Sequence, residues 1–366
     1  MRLLIYGHSH DEHALAVARA LVADGHDCAI FNSDDFPVGS TISIDPAAGD
    51  WRLRGAMIDR DAQDFDVVWN RRNKPAASMP GLHPDDRAVA QHECTVFLRE
   101  LRLSVPRDGQ IWVNKERRQR AIAAKPAQLG LAHGVGLAIP RTLVSNDPAR
   151  VRAFVGEADS AIVKALDRIG WEDDEGEVVL PTTIITSDDC DDDVSIRACP
   201  MIYQHRVAKA YELRVVMFGD DLLAVRLDSQ SVESARVDWR AAKPNSFDIA
   251  EVRLADDLVA KLRAFARRAD VVHGSFDLAV TPQGEAIFFE FNAQGQSLWI
   301  EDWNPRIRVL DRLAAFMASP TRCFRYDGVQ RHSFPDYLAF EQDGAAANAA
   351  ATPAVRRPPA GGRPRA

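Results

Sequence analysis

The sequence predicts an open α/β domain at the N-terminus, followed by a larger region in which paired strands alternate with helices. Three observations lead to this prediction. Residues 2–31 follow a strand–helix–strand pattern, a buried strand at 65–69 ends in a basic cluster, and several short strands after residue 140 are separated by turn residues. We therefore expect a parallel sheet first and antiparallel sheets later in the chain.

The first element is the apolar run at residues 2–6, which ends in Gly7–Asp11 (GHSHD). Apolar residues then recur at helical spacing from Ala14 to Leu21, and residues 28–31 form the next strand. Two strands joined by a helix lie parallel in one sheet. The loop at Gly7 lacks the G-x-G-x-x-G pattern, so it does not indicate a dinucleotide site.

The next buried strand, residues 65–69 (FDVVW), leads into the basic segment Asn70–Lys74 (NRRNK). Side chains that follow a parallel strand lie at the carboxyl edge of the sheet, where open α/β sheets bind ligands. An anion could bind there, and the alternative is a solvent-exposed basic loop. A helix at 84–105 and a strand at 111–113 complete a domain that we place at residues 1–115.

The rest of the chain is predicted to form two α+β units and a tail. A helix at 116–133 and strands at 161–164, 182–185 and 201–204 belong to residues 116–204. Strands at 213–218, 222–226, 276–280 and 286–292 belong to residues 205–322. Residues 343–366 contain no aromatic side chain and are rich in Ala, Pro, Gly and Arg, which predicts a disordered tail.

The composition is that of a folded protein with a sizeable core, because 46% of its 366 residues are hydrophobic and 27% are charged. The formal net charge of −8 does not suit a protein that coats nucleic acid or an anionic membrane, so we expect neither partner. We find no signal peptide and no apolar run long enough to span a membrane. A cytoplasmic location with reduced cysteines is therefore expected.

Three oxygen-bearing side chains are predicted to converge near the end of this region. Glu290 and Asn292 lie two residues apart in one strand, so they point to the same face, and Asp277 lies in the strand before it. Two buried carboxylates require a compensating positive charge. This is either Mg²⁺ or an arginine such as Arg214 or Arg226. The neutral carbonyl of Asn292 favours the metal.

Two lysines in apolar settings form the second signal. Lys125 falls within the predicted helix and Lys164 ends the strand Ala161–Lys164. Half-buried lysines are common partners of phosphate oxygens. The alternative for each is a surface lysine whose stem covers apolar residues.

The order of these features resembles the ATP-grasp superfamily. It comprises a helix lysine, Gly-x-x-x-Pro-x-Thr at 136–142, a strand lysine, Glu-x-Arg at 212–214, an Arg, an Asp and Glu-x-Asn at 290–292. Shorter motifs resemble the ATP-grasp ligases that mature microviridins and other graspetides, ribosomal peptides cross-linked by side-chain esters or amides. These motifs are DDFP (34–37), WNRR (69–72), ACPMIYQ (198–204), KAYELR (209–214) and DWR (238–240).

The resemblance implies a pre-ATP-grasp α/β domain followed by an ATP-grasp fold, in which a small or lid subdomain (116–204) and a central subdomain (205–322) close on ATP. It also implies the roles of individual residues. Lys125 and Lys164 would hold the ATP phosphates, the segment around Tyr203 and Gln204 would line the adenine pocket, Lys209 and Glu212 would lie near the nucleotide, Arg214 and Arg226 would act at the transferring phosphate, and Asp277, Glu290 and Asn292 would bind Mg²⁺.

The implied activity is ATP-dependent ligation within a precursor peptide that has a leader and an acidic core. Asp or Glu side chains would be activated as acyl phosphates and joined to Ser or Thr as esters, or to Lys as amides. Arg71, Arg72, Lys74 and Arg240 are candidates for binding the core. The alternatives are an ATP-grasp ligase that adds amino acids to a protein or joins small metabolites, and a catalytically silent peptide-binding relative. Formation of a homodimer is compatible with the sequence.

Overall fold

A parallel sheet organises the N-terminal domain. The computed structural model describes residues 1–55, 58–104, 109–167, 170–173 and 176–351. The first elements are β1 (Arg2–Gly7), α1 (Glu12–Ala23), β2 (Asp27–Asn32), β3 (Ser40–Asp45), β4 (Asp50–Gly55), β5 (Ile58–Asp61), β6 (Val67–Asn70), α2 (Pro84–Ser104) and β7 (Ile111–Val113). The order β2-β1-β6-β7 is parallel throughout, whereas β3, β4 and β5 form an antiparallel sheet.

The second group of elements forms a smaller antiparallel sheet. It consists of α3 (Glu116–Ala123), α4 (Lys125–Gly134), β8 (Thr142–Ser145), α5 (Pro148–Val155), β9 (Ala161–Lys164), β10 (Gly170–Asp173), β11 (Gly176–Val179), β12 (Thr183–Ile185), α6 (Asp193–Ala198) and β13 (Met201–His205). The sheet order is β12-β9-β13-β8, and β10 pairs with β11 as a separate hairpin.

The helix predicted at 116–133 is divided into α3 and α4. Ala124 has extended backbone angles and separates the two helices. Pro126 has no N–H and cannot continue the hydrogen bonding of α3, although it is tolerated in the first turn of a new helix. Lys125 is therefore the first residue of α4 rather than a residue in the middle of a helix.

The third group is built on a five-stranded antiparallel sheet with the order β16-β15-β14-β17-β18. Its elements are β14 (Tyr211–Phe218), β15 (Asp221–Leu227), β16 (Ile249–Glu251), α7 (Asp256–Ala269), β17 (His273–Val280), β18 (Ala286–Asn292), α8 (Trp299–Trp303), α9 (Val309–Ala318) and α10 (Phe334–Ala351).

The two faces of this sheet pack against different parts of the molecule. Leu213, Phe276 and Phe288 on one face pack with α4 and α7. Val216 and Phe218 on the other face share a core with α9, α1 and the inner face of the N-terminal sheet. The N-terminal domain and the large sheet are thus joined by one continuous hydrophobic core.

The tail predicted to be disordered from residue 343 begins inside α10, which continues to Ala351. The helix starts with Phe334 and Tyr337, both buried, and the alanine-rich sequence beyond them has a high helix propensity. Residues 343–351 thus continue α10, residues 352–366 lie outside the described part, and disorder of the tail remains a prediction. Among the helices of the described residues, none is both long and apolar enough to cross a membrane.

Candidate active site

Three charged side chains lie next to one another on the face of the large sheet that points toward the N-terminal domain. Arg214 pairs with Asp277, and Asp277 pairs with Glu290, across the adjacent strands β14, β17 and β18. Directly paired residues of antiparallel strands point to the same face. Nη1 of Arg214 lies 2.8 Å from each carboxylate oxygen of Asp277, and the arginine side chain is almost fully buried.

Glu290 and Asn292 extend this row along β18. Within the described residues, the Glu290 carboxylate forms no hydrogen bond or ion pair, whereas Oδ1 of Asn292 accepts a hydrogen bond of 3.1 Å from the Gln294 N–H. Two carboxylates and an amide oxygen are suitable Mg²⁺ ligands, and phosphate and water oxygens would complete an octahedron. Asp277 pairs with Arg214 in this structure, so its carboxylate faces the cation that the sequence suggested as the alternative to a metal.

No group of three His, Cys, Asp or Glu side chains in the described part of the chain could hold a metal ion by itself. The candidate site is instead an acidic edge that needs oxygen atoms from a second molecule. This is the arrangement expected where Mg²⁺ is bound together with a nucleotide, because Mg²⁺ commonly uses one or two carboxylates plus substrate phosphates.

Gln128 positions β18, and sequence analysis did not identify this residue. Its Oε1 accepts from the Phe291 N–H at 2.7 Å, and its Nε2 donates to the Phe291 carbonyl at 2.9 Å. Both backbone groups lie between Glu290 and Asn292 on an edge strand. The signal that could have revealed it is a buried glutamine in the apolar face of α4, beside Leu129 and Ala132.

Lys164 reaches the same site from the small sheet. The pKa of Lys164 is lowered to about 8, mainly by burial and also by nearby Lys125 and Arg240, whereas Glu290 and Asp238 oppose this change. Lys125 lies at the start of α4 and donates from Nζ to the Ala165 carbonyl at 3.1 Å. Two lysines distant in sequence therefore lie near each other, with Lys164 close enough to Glu290 to interact with its charge, as a site for phosphate oxygens requires.

Arg240 completes the positive side of the site. Asp238 binds its guanidinium through two hydrogen bonds of 2.8 Å each, and the arginine side chain is largely exposed. These bonds raise the pKa of Arg240, and Glu290 and Asp277 raise it further, which places Arg240 near the acidic edge. Asp238 thus orients the guanidinium of Arg240, which stays exposed to a second molecule.

Lys209 and Glu212 form a buried pair below Arg240. Nζ of Lys209 donates to Oε1 of Glu212 at 2.9 Å and to the Val237 carbonyl at 3.0 Å. The hydroxyl of Ser229, which sequence analysis did not single out, donates to Oε2 of Glu212 at 2.5 Å. Burial raises the pKa of Glu212 and Lys209 opposes this effect. The pair fixes the segment that leads to Arg240.

Tyr203 and Gln204 lie on opposite faces of the small sheet. Gln204 is paired with Ile162, two residues from Lys164, and therefore shares the face of Lys164. Its Nε2 donates to the Thr142 hydroxyl at 2.9 Å. The ring of Tyr203 packs into the core beneath α5 on the other face. The side chain of Tyr203 therefore cannot line a nucleotide pocket on the lysine face, and only its backbone remains available for this role.

Arg226 does not join the site. It pairs with Leu213, the neighbour of Arg214, so its side chain emerges on the opposite face of the large sheet. There it lies over the ring of Tyr211, 4.2 Å from the ring centre, and pairs with Asp228. The predicted role at the transferring phosphate is wrong for Arg226, because the register of β14 and β15 was not known from the sequence.

Arg71 also lies outside the candidate site, because its guanidinium is bound by other residues. Its side chain is fully buried, Nε and Nη2 donate to Asp11 at 2.9 and 2.8 Å, and Nη1 donates to the Gln294 carbonyl. The expectation that Arg71 binds a substrate is therefore wrong. Lys74 and Arg72 are exposed at the carboxyl edge of the parallel sheet, where both lie near His8 and contribute to lowering its pKa, which burial lowers most.

Replacement of Arg71 by Met is expected to lower the free energy of unfolding by about 3–5 kcal/mol, because Asp11 would stay buried without its partner. Burial alone would raise the pKa of Asp11, and Arg71 outweighs this effect and lowers it. Urea unfolding measures the change. In the matched double variant R71M/D11N no charge is left buried without a partner, and the asparagine can still cap α1, so it should be more stable than R71M. Equal stability of the two variants would contradict this account.

Comparisons with known proteins agree with this architecture. Residues 2–120 match the family model of the MvdD pre-ATP grasp domain. A RiPP-associated ATP-grasp ligase from Chryseobacterium gregarium, solved with ADP and a leader and core peptide, is 24% identical with a TM-score of 0.80, over 90% of this chain and 100% of its own. The macrocyclase MdnC of Microcystis aeruginosa MRC, bound with the precursor peptide MdnA, is 24% identical with a TM-score of 0.76, over 87% and 99%.

A third structure, the ATP-grasp ligase PsnB with a minimal precursor, Mg and ADP, is 22% identical with a TM-score of 0.67, over 87% of this chain and 96% of its own. No curated protein matches the sequence. The expected fold class, a pre-ATP-grasp α/β domain followed by an ATP-grasp fold, is confirmed. The chain has the fold of the RiPP-associated ATP-grasp ligases along nearly its whole length.

Proposed function

We propose that this chain, which has the fold of RiPP-associated ATP-grasp ligases, is an ATP-dependent ligase that closes rings within a ribosomally made precursor peptide. The observation that carries the proposal is the meeting of Lys164, Lys125 and Arg240 with the acidic edge formed by Asp277 and Glu290. Fixed cations beside an acidic edge suit a magnesium nucleotide and a carboxylate substrate together. The enzyme works in the cytoplasm, where both ATP and Mg²⁺ are present.

Nucleotide binding is assigned to both sheets. Lys125 and Lys164 would hold phosphate oxygens, the Lys209–Glu212 pair would lie near the nucleotide, and the backbone of β13 with Gln204 would border the adenine. Asp277, Glu290 and Asn292 would hold Mg²⁺, which would supply Lewis-acid polarisation of the transferring phosphate. Arg214 remains beside Asp277 and offsets negative charge at this edge.

The reaction has two steps. A carboxylate of an Asp or Glu in the peptide attacks the γ-phosphorus of ATP. The bond between the γ-phosphorus and the oxygen that bridges to the β-phosphate breaks, so ADP departs and the peptide carries an acyl phosphate. A Ser or Thr hydroxyl or a Lys amine of the same peptide then attacks the acyl carbon, loses its proton and expels inorganic phosphate. Negative charge grows on phosphoryl oxygens in the first step, where Lys164 and Arg240 stabilise it. The remaining catalysis is positioning of the two peptide groups.

The peptide is assigned an acidic core and a leader. The ligase from Chryseobacterium gregarium was solved with a leader and a core peptide, and MdnC with its precursor MdnA. In this chain, Arg240 is an exposed cation on which Glu290 and Asp277 act, and Arg72 and Lys74 add positive charge at the edge of the N-terminal sheet. These local clusters attract an acidic peptide although the whole protein carries a net charge of −8. Nucleic acid is not a partner in this proposal.

Mass spectrometry tests the proposed reaction. An acidic precursor peptide encoded beside the gene is incubated with the protein, ATP and Mg²⁺. Each ring should lower the peptide mass by one water, and omission of ATP should prevent the loss. A mass gain would instead identify a ligase that adds residues, and tight binding without any mass change would identify a silent peptide-binding relative. Light scattering of the same samples measures whether the active form is a homodimer.

Charge reversal of Arg240 tests the assignment of the core-binding cation. Arg240→Glu should weaken the affinity for the acidic peptide by about tenfold or more, which corresponds to roughly 1.4 kcal/mol. Titration calorimetry with the peptide measures this. Arg236→Glu is the matched control, since Arg236 is exposed in the same segment and bonds only weakly, at 3.5 Å, to the Gln230 carbonyl. The assignment fails if both variants bind the peptide equally well.

A further inference from the structure

The segment that follows β18 is held by side chains at almost every residue. We call this segment, Ala293–Leu298, the anchor segment. Four side chains from other elements make five hydrogen bonds to its backbone. Asn114 Nδ2 donates to the Ala293 carbonyl at 3.1 Å, Arg71 Nη1 donates to the Gln294 carbonyl, and Arg214 Nη2 donates to the Gln296 carbonyl at 2.7 Å. His13 Nε2 accepts from the Ser297 and Leu298 N–H groups at 2.8 and 3.0 Å.

Three of these four side chains belong to the N-terminal domain. His13 lies in the first turn of α1, Arg71 directly follows β6, and Asn114 directly follows β7. Asn114 also accepts from the Val272 N–H at 2.8 Å and donates to the His273 carbonyl at 2.8 Å, so it joins the start of β17 to the anchor segment. Side chains from three places in the N-terminal domain therefore converge on the short segment that follows the last strand of the large sheet.

His13 acts in this arrangement as a hydrogen-bond acceptor. A ring nitrogen that faces two N–H donors carries no proton, which places the proton of the neutral ring on Nδ1. The surroundings keep the ring neutral: burial lowers the pKa of His13 well below its ordinary value, Arg71, His273 and Arg214 lower it further, and Asp11 opposes them. An acceptor here is also needed, because two buried N–H groups would otherwise have no partner.

The anchor segment has little room to move. Gly295 has a φ of +55°, and a Cβ at this position would stand 2.6 Å from Nε2 of His273. At its start, the Gln294 N–H donates to Asn292, and in its middle, Gln296 shares the guanidinium of Arg214 with Asp277. A shift of the anchor segment is therefore transmitted directly to two of the three candidate Mg²⁺ ligands.

From these contacts we infer that the N-terminal domain orders the magnesium site through the anchor segment, and that His13 is the positioning residue of this connection. The inference rests on the proposed function, since it concerns the same acidic edge. His13 touches neither nucleotide nor metal in this assignment. It accepts hydrogen bonds from two backbone N–H groups and so fixes the position of the backbone that follows Asn292. The N-terminal domain thus has a role in metal binding in addition to any contact with the peptide.

Two variants of His13 in the full-length protein test the inference. His13→Leu removes the acceptor, whereas His13→Gln places an amide oxygen near the position of Nε2 and cannot be protonated. Hydrogen exchange at the Ser297 and Leu298 amides should speed up about tenfold or more in H13L and remain close to the wild-type rate in H13Q. This readout requires neither nucleotide nor peptide.

Magnesium-dependent nucleotide binding is the second readout. ADP affinity is measured by titration calorimetry with and without Mg²⁺. The ratio of ADP affinity with Mg²⁺ to ADP affinity without it should fall by about tenfold or more in H13L, with metal-free ADP binding unchanged. In H13Q this ratio should return to the wild-type value. Thermal unfolding shows whether each variant is folded.

Several outcomes would overturn the inference. One is an H13L protein with fast exchange at Ser297 and Leu298 but wild-type magnesium dependence, and another is an H13Q protein that behaves like H13L although it is folded. If the wild-type protein binds ADP without any effect of Mg²⁺, the proposed metal site itself is wrong, and the exchange experiment then separately decides whether His13 holds the anchor segment.

Discussion

Lys164→Met is expected to abolish ligase turnover and, at the same time, to make the protein more stable at neutral pH. Burial lowers the pKa of Lys164 from 10.5 to about 8, so the charged form is disfavoured in the folded protein by roughly 3 kcal/mol. Methionine fills a similar volume without that charge. Activity falls because a cation at the transferring phosphate is lost, and stability rises because its desolvation is no longer required.

The lowered pKa of Lys164 also determines whether the free energy of unfolding rises or falls with pH. The unfolded chain keeps Lys164 protonated up to about pH 10.5, whereas the folded chain releases the proton near pH 8. Between these values the unfolded state binds more protons, so stability rises with pH. Below about pH 8 the lysine is charged in both states, and its burial costs a constant amount. The K164M variant should lack this rise.

Denaturant unfolding from pH 7 to 10.5, together with phosphate release in the presence of peptide, measures both effects. Lys115→Met is the matched control, because Lys115 is exposed and outside the site, and this variant should keep wild-type activity and stability. A K164M protein that is inactive and less stable than wild type at pH 7 would contradict the account of a buried, functionally required charge.

Glu290→Gln is expected to reduce turnover by at least about a hundredfold and to remove the effect of Mg²⁺ on nucleotide affinity. The substitution keeps the shape of the side chain but removes one of the two carboxylates of the acidic edge. It also removes the largest of the nearby charges that raise the pKa of Lys164, so this lysine should lose its proton at a lower pH than in the wild type.

Calorimetric titration of ADP with and without Mg²⁺ tests the metal part, and the peptide mass assay tests turnover. Glu285→Gln is the matched control, since Glu285 is exposed in the turn that precedes the same strand. If E290Q kept wild-type magnesium dependence, Glu290 would be no metal ligand, and the acidic edge would have to be reassigned as a structural partner of the neighbouring cations.

Local sequence patterns predicted the elements on which the site is built. The strand, helix and strand at residues 2–31 and the hairpin of β17 and β18 are present in the structure close to their predicted bounds. The spacing of Glu290 and Asn292 was sufficient to place them on one face, because side chains alternate along a strand. These properties depend only on residues near one another in the chain.

The errors came from properties that depend on pairing between distant segments. Arg226 was assigned to the site by motif order, but the register of β15 turns its side chain to the opposite face. A shift of one residue in register exchanges the two faces of a strand, and register is not encoded locally. Arg71 is predicted from the sequence to bind the substrate, because its actual partner, Asp11, lies 60 residues away in the chain.

The sequence by itself thus determined the order of strands and helices, the acidic edge on β18 and the two lysines that face it, because periodicity and motif order are local. Only the tertiary structure decided which arginine lies beside Asp277, that Gln128 binds the backbone of β18, and that His13 of the N-terminal domain binds the backbone of the anchor segment. Each of these is a hydrogen bond between residues far apart in sequence, and such a bond exists only after the sheets have packed.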